Sequence, residues 1–474
     1  MYSPLASQLI FSALILLTIV FAYHWLLGLE IPSAAGKTPR LKPKEERKTF
    51  RISGVPSEWD KDRLQSFLAD QNDIDGPNIN SLAFNIDNCC RTGTATFRKI
   101  PQQLQNGGSW KIPIPSLPGN QSTQSQCLEL DSAFLGITPL YSPPLEDHQV
   151  DIVAISGLGG HAFGSFKERG GNHMWLRDSL PYDLKYENTP RPTARVMIYG
   201  YKSNVSDSNS RQDFDDLARS FQSSLLALAH TPTIRPIIFI AHSLGGIIVK
   251  QTLIILSNST KEDDLKLAKA VHGIVFFGVP HDGMDISSLV AMVGDKPNRF
   301  LIESVGHNNP QLLHEQRRQF NTALDHDGDP EIIYFYKTEK SPTAQKDKNG
   351  IWKMNGPSEC LITKSSATRC RSWEDGPEDM YAIARTHSDM VRFGPHDDEY
   401  SKVRERLIGL AQQALVVSTP SQKASREESN RAAAAIVVEM ITGGDGVSIQ
   451  IHVGLALPIE NDFIVCYKLL SDGY

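Results

Sequence analysis

The first strong pattern along the chain is an uninterrupted one. From Leu5 to Leu29 no residue is charged, and at 1.5 Å per residue such a run clears the roughly 30 Å hydrocarbon core of a bilayer. Tyr23, His24 and Trp25 lie near its far end, where amphipathic rings favour the headgroup layer. The pattern predicts one membrane-spanning helix over 5–29. A cleaved signal peptide is the competing reading: a small-residue site stands at Ser33-Ala34-Ala35, but no Lys or Arg precedes the run, and it is longer than a usual signal core. Seven basic residues follow, Lys37, Arg40, Lys42, Lys44, Arg47, Lys48 and Arg51, in and just beyond a basic linker over 30–49. The positive-inside bias therefore predicts the body on the cytosolic side. The sequons at Asn120, Asn204 and Asn258 would then carry no sugar.

Beyond the linker the periodicity shortens. FRISGV (50–55) alternates as a strand, SEWDKDRLQSFLAD (57–70) reads as an amphipathic helix, and INSLAFNID (79–87) and TGTATFRK (92–99) read as strands. This β-α-β-β order predicts a small α+β domain, superficially like an RNA-recognition module, which with a following linker occupies 50–148. Such modules stack bases on aromatic rings of their central strands. Here the second central strand offers Thr94, Thr96 and Phe97 and lacks the basic-Gly-aromatic signature, so no nucleic-acid partner is expected.

From Val150 apolar runs alternate with periodic helices. VDIVAISGL (150–158), ARVMIYGY (194–201), RPIIFIAHS (235–243), AVHGIVFFGVP (270–280), EIIYFY (331–336) and ECLIT (359–363) read as strands buried on both faces. DFDDLARSFQSSLLALAH (213–230) is a helix with acidic residues in its first turn. Strand–helix alternation on this scale predicts a doubly wound α/β sheet over 149–412. The remainder, 413–474, holds an Ala-rich stretch and a segment, IVVEMITGGDGVSIQIHVGLALP, that could pair as a hairpin about Gly443-Gly444-Asp445-Gly446.

One junction carries chemistry. The strand Ile237–Ile240 runs into Ala241-His242-Ser243-Leu244-Gly245 and then a helix of Ile, Val and Leu. This is the strand–elbow–helix setting that exposes a serine hydroxyl above a sheet. The elbow needs small residues two before and two after the nucleophile, and Ala241 stands where the G-x-S-x-G pattern has its first glycine. A serine that merely caps the following helix is the structural alternative. An oxyanion needs two backbone donors. Leu244 N–H, directly after Ser243, is one candidate; Leu158 N–H in the loop Ser156-Gly157-Leu158-Gly159-Gly160-His161 is the other. That loop lacks the Lys of a P-loop and any G-x-G-x-x-G run, so no nucleotide cofactor is expected.

Composition sharpens this reading. With 40% apolar and 22% charged residues, the 474-residue chain can build packed cores and is neither disordered nor polytopic. Lys and Arg number 48 against 54 Asp and Glu, a net of −6, which argues against a protein devoted to phosphate backbones. Without the seven basic residues around the linker, and Glu45 and Glu46 among them, the rest stands at −11, so a basic edge conceals an acidic body. Six cysteines form no C-x-x-C pair, so neither a disulfide scaffold nor a structural zinc site is expected.

The segments ISGLGGH (155–161), MWLRDSLP (174–181), ARVMIYGY (194–201), FIAHSLGG (239–246), FFGVPHDG (276–283) and THSDMVRF (386–393) occur in this order. Over about Val150–Leu410 the chain thereby resembles the serine active site-containing protein family, α/β-hydrolases grouped with serine esterases and bacterial-type lipases. The resemblance implies the α/β-hydrolase fold and an ester-hydrolase site. For animal relatives it implies phospholipid remodelling at endoplasmic reticulum–mitochondrion contacts.

Chain order in such a fold is Ser, acid, His, which puts the base in the loop after the last strands, at His387 in Thr386-His387-Ser388-Asp389; the resemblance implies the same residue. Relatives carry a Glu directly after the penultimate strand, where this chain has Lys337. Glu339, two residues on, is the expected acid, with Asp282 and Asp285 as fallbacks. The expectation is thus a membrane-anchored serine hydrolase of ester, lipid-type substrates, on an endoplasmic reticulum or mitochondrial membrane, using Ser243, His387 and Glu339. The rival is a weak or inactive hydrolase-fold docking protein.

Overall fold

The computed structural model describes residues 48–105, 107–115, 126–185, 191–205, 208–231, 233–307, 310–324, 330–371, 379–417, 456–459 and 462–465. The expected span over 5–29, most of the basic linker and the expected turn at Gly443–Gly446 lie outside them. Among the described residues no helix is long and apolar enough to cross a membrane.

The apolar runs of the second half become the sheet the periodicity predicted. Its seven strands are β6 (Gly136–Tyr141), β7 (Val150–Ile155), β8 (Ala194–Gly200), β9 (Ile237–His242), β10 (Val271–Phe277), β11 (Glu331–Lys337) and β14 (Met380–Ile383), in the order β14-β11-β10-β9-β7-β8-β6. All neighbours run parallel except β6, antiparallel to β8. Each central strand splits its residues between two cores. Val153, Ile155, Phe239 and Phe276 pack under α2 (Phe214–Ala229), α3 (Leu244–Ser257) and α4 (Pro310–Leu324). Ile152, Ile240, Val275 and Phe335 pack against Trp175 and α5 (Asp398–Val417). That double burial is why these strands read as unbroken apolar runs. Strand order and the β9–α3 elbow together make this an α/β-hydrolase-like sheet.

Two details depart from the sequence reading. ECLIT is not a strand: Glu359 ends a hairpin, and Leu361 and Ile362 bury themselves in the core before a short helix. The edge strand is instead β14, whose mixed Met-Tyr-Ala-Ile gives a weak signal. At the other edge β6 extends the sheet back to Gly136, ahead of the expected boundary at 149. As an edge strand with Gly136, Ile137 and Tyr141 only partly buried, Gly136–Tyr141 lacks the apolar continuity of a central strand.

The α+β unit has one helix, α1 (Lys61–Ala69), N-capped by Asp60, on an antiparallel sheet ordered β2-β3-β1-β5-β4. These strands are β1 (Thr49–Pro56), β2 (Asn78–Phe84), β3 (Cys90–Thr96), β4 (Trp110–Pro113) and β5 (Cys127–Asp131). Phe50, Ile52, Ala95 and Phe97 face Leu64 and Leu68 of the helix. The opposite face, which an RNA-recognition module would leave open for bases, is closed here. Thr92, Thr94 and Thr96 are buried on it. Arg177 donates to Thr94 Oγ1 at 3.4 Å, and Arg51 donates to Leu135 O and Thr138 Oγ1 at 2.7 and 3.1 Å. The RNA-recognition likeness therefore ends at β3, and β4 and β5 continue the sheet instead. In the tail, Ala456–Ile459 pairs with Asp462–Val465.

α3 is apolar around most of its surface, as a helix enclosed by sheet and helices must be. Lys250 in its middle is fully buried, its Nζ 5.6 Å from the Phe320 ring centroid and without a hydrogen-bond partner. Burial lowers its pKa. An unpartnered buried amine costs about 1–3 kcal/mol. Lys250→Met, of similar length, should raise unfolding free energy by about that amount in denaturant titration; a drop would mean the amine holds an interaction the fold needs.

Candidate active site

Ser243 stands between the last residue of β9 and the first of α3 with φ 54° and ψ −127°. For a residue with a Cβ this is a strained region, of order 1–3 kcal/mol. The surroundings hold it there. Ser243 N–H donates to Phe277 O at 2.9 Å, and Ser243 O accepts Gly246 N–H at 3.0 Å. The helix then runs so close to β7 that a Cβ on Gly245 would stand 2.8 Å from the carbonyl oxygens of Ile155 and Ser156. Ala241, at the departure from G-x-S-x-G, is an ordinary fully buried strand residue. The capping alternative fails locally, since Ser243 makes no side-chain cap bond.

The hydroxyl meets a base. His387, in the loop after β14, places Nε2 2.9 Å from Ser243 Oγ. Its backbone is clamped on both sides: its N–H donates to Ser341 Oγ at 2.9 Å, and its carbonyl accepts from His242 Nε2 at 2.8 Å. A ring nitrogen facing a carbonyl must carry the proton, so His242 is the Nε2–H tautomer. Burial pushes the His242 pKa down to about 4. Burial, then the neighbouring His242 and Lys337, hold His387 well below the usual histidine range. Both rings are neutral at pH 7, and His387 can accept the serine proton.

The expected acid is not there. With Nε2 accepting from Ser243, the His387 proton sits on Nδ1, which is buried without a partner. A Cβ on Gly278 would lie 3.0 Å from that nitrogen. Glu339 is exposed; its N–H donates to Arg385 O at 3.3 Å and its carbonyl accepts from Lys337 Nζ at 3.1 Å, so its carboxylate does not reach the imidazole. The reason is the chain path: after β11 the backbone leaves the sheet into β12 (Ser341–Lys346), carrying Glu339 toward solvent. Asp282 is held by Arg317 at 2.7 Å, and Asp285 receives the Ser287 N–H and O–H at 2.9 and 2.6 Å. Among the described residues no carboxylate orients His387.

The oxyanion candidates fare differently. Leu244 is the first helical residue, so its N–H has no acceptor within α3. Leu158 lies in the loop after β7, which approaches Ser243 so closely that a Cβ on Gly157 would come 2.6 Å from Ser243 Cβ. The next two amides are already engaged, Gly159 N–H to Ser203 O at 2.6 Å and Gly160 N–H to Gly157 O at 3.0 Å, whereas the Leu158 amide is given to no backbone carbonyl. Both Leu158 and Leu244 line a cavity of about 660 Å³ that also contains Ser243 and His387.

Met284, Leu289, Met292 and Val305 give this cavity an apolar wall. Trp352 and Met354 close another side, from β13 (Trp352–Glu359), paired antiparallel with β12. The sequence reading passed over this hairpin, although Asn349-Gly350 between two strand-like runs is a hairpin signal, and Gly350 has φ 76°. The other loop histidines are structural. His161 Nε2 meets Ser132 O at 2.7 Å while its Nδ1 accepts from Phe163 and Gly164 amides, and His281 is fully buried against Phe276 and Tyr334. Among the described residues no cluster of His, Cys, Asp and Glu is arranged to hold a metal ion.

Three neutral histidines, two buried and one half-buried, carry a pH consequence. His242, His281 and His387 all have folded pKa values below the unfolded 6.5. Their contribution is complete above about pH 6.5 and is lost as the pH falls, because the unfolded chain then binds more protons. For His242 the window runs from 6.5 to about 4, and by about pH 5 it amounts to about 2 kcal/mol. Denaturant titrations should show unfolding free energy falling over that range, with a shallower slope in His242→Gln.

No protein-family model matches the chain. Among curated proteins it is similar to Protein SERAC1 of Homo sapiens, 27% identical over 146 residues, 28% of this chain and 22% of that protein. Protein SERAC1 of Danio rerio is 28% identical over 156 residues, again 28% of this chain and 22% of that protein. The match thus spans about a fifth of the length of these relatives. Among solved structures, Bacillus licheniformis lipase BlEst2 in mature form is 13% identical, with 56% of this chain and 94% of that chain covered at a TM-score of 0.32. The type II thioesterase YbtT of the Yersiniabactin biosynthetic pathway is 11% identical, with 59% and 99% covered at a TM-score of 0.31. Phospholipase PlaB of Legionella pneumophila is 12% identical, with 56% and 63% covered at a TM-score of 0.30.

Proposed function

We propose that the chain is a serine ester hydrolase that works by acyl transfer through a Ser243–His387 dyad. The observation that carries this reading is the 2.9 Å contact between Ser243 Oγ and His387 Nε2 at a strained elbow. Ser243 attacks an ester carbonyl while His387 takes its proton; the Leu158 and Leu244 amides receive the oxyanion. His387 then protonates the leaving alcohol, and water, deprotonated by the same ring, releases the acyl group. The apolar wall of Met284, Leu289, Met292 and Val305 suits an acyl chain. The uncharged run over 5–29 and the basic residues behind it support a lipid substrate, met on the cytosolic face of an endoplasmic reticulum or mitochondrial membrane.

A second reading, a hydrolase-fold docking protein with little or no turnover, is favoured by the unpaired Nδ1 and by Lys337 beside it. A carboxylate on Nδ1 fixes the tautomer and stabilises the imidazolium, and its loss costs about 10⁴ in rate. The dyad is accordingly slow.

A fluorophosphonate probe should label the wild-type chain and leave Ser243→Ala unlabelled, with ester turnover lowered at least about 10³-fold. An unlabelled wild type, or equal labelling of the variant, rejects Ser243 as nucleophile.

Lys337→Glu replaces a cation near His387 with a carboxylate. It should raise kcat about tenfold or more and move the acid limb of the kcat/KM profile to higher pH, since a negative neighbour raises the imidazole pKa. An unchanged profile would mean position 337 does not act on the ring.

A further inference from the structure

The hairpin that closes one side of the cavity also presents a surface the fold does not use. Among the described residues strand β13 pairs with β12 alone, and its residues are mostly exposed. Ile351 at its turn is 57% exposed, and Met354, on β13 at the edge of the cavity, is 49% exposed, both among the large exposed apolar side chains of the described residues. Three lysines surround them, Lys346, Lys348 and Lys353, against one acid, Asp347. Asp347 is occupied within the turn: it accepts the Asn349 and Ile351 amides at 2.8 and 3.0 Å and pairs with Lys353 at 2.7 Å. Lys346 Nζ lies 5.3 Å from the Trp352 ring centroid. The tip is thus net cationic on an acidic chain, with apolar side chains between the charges.

We propose that this hairpin docks on an anionic lipid bilayer, with Ile351 and Met354 entering the boundary between headgroups and acyl chains and the lysines over the lipid charges. Cations complement an anionic surface, and side chains that reach past them gain from leaving water. An acidic protein would satisfy the lysines as well. The bilayer is favoured because Trp352, Lys353 and Met354 line the same cavity as Ser243. A hairpin lodged in the headgroup layer sets that cavity against acyl chains, which an acidic protein would not supply. The proposal deepens the ester-hydrolase reading and rests on it for its purpose, but the docking itself does not need Ser243.

The test follows backbone hydrogen exchange over 346–354 in the full chain, carried as Ser243→Ala so that hydrolysis plays no part. The chain is incorporated in phosphatidylcholine vesicles with or without phosphatidylserine. Phosphatidylserine should slow exchange about tenfold, and Ile351→Ser with Lys348→Glu, two exposed changes outside the cavity lining, should abolish that protection. With Ser243 intact, the same double variant should lose about tenfold in turnover of vesicle lipid while hydrolysing a soluble short-chain ester as before. Equal exchange in both vesicle types overturns the proposal, as does protection conferred by polyglutamate but not by phosphatidylserine. Protection without any turnover leaves the docking standing and rejects the hydrolase reading.

Discussion

The site depends on one backbone conformation. Ser243 can hold φ 54° only because α3 starts where it does, and α3 can start there only because Gly245 has no Cβ to strike the carbonyls of Ile155 and Ser156. Gly157 makes the same concession from the opposite loop. Two glycines, one on each side, let two strand ends converge on a hydroxyl. Double burial of β7 and β9 supplies the rigidity that keeps the strained residue in place.

Around that hydroxyl the electrostatics run against charge. His242 and His387 lie 4.8 Å apart between ring centroids, the first buried and the second half-buried, with a lysine near and, among the described residues, no carboxylate on His387 Nδ1. Two adjacent imidazolium ions could not coexist there, so neutrality is enforced by burial as much as by mutual repulsion. The arrangement favours proton acceptance and disfavours the ion pair that follows it. For the proposed dyad, that makes a base that starts well and finishes poorly without its acid.

The two smaller parts constrain the large one. The α+β sheet gives its Thr-rich face to Arg177 and keeps Arg51 at β6, so it braces the antiparallel edge of the hydrolase-like sheet. The β12–β13 hairpin does the reverse, leaving the sheet after β11 to build a wall of the cavity. By doing so it carries Glu339 away from His387 and brings Ser341 Oγ to the His387 amide. The loss of an acid and the gain of a wall are one structural event.

Local pattern was enough for much of this. Runs such as Ile237–Ala241 and the periodicity of Phe214–Ala229 are visible because burial is written into every residue of the first and every third to fourth residue of the second. The elbow, with its small residues around Ser243, belongs to the same class, and so does the glycine loop at 156–160. Contacts between distant segments were not legible in this way. His387 reaches Ser243 across 144 positions, and only chain order and a resemblance pointed to it, not any local pattern; Glu339 fails to reach although it is expected close to the last strands. The closed face of the small sheet was hidden because Thr92, Thr94 and Thr96 look solvent-facing until Arg177 covers them. Side-chain polarity specifies which way a strand faces, but not what lies opposite. The direction in which a polar loop leaves a sheet is decided by the packing of the whole chain, and at this site that direction determines which charges His387 meets.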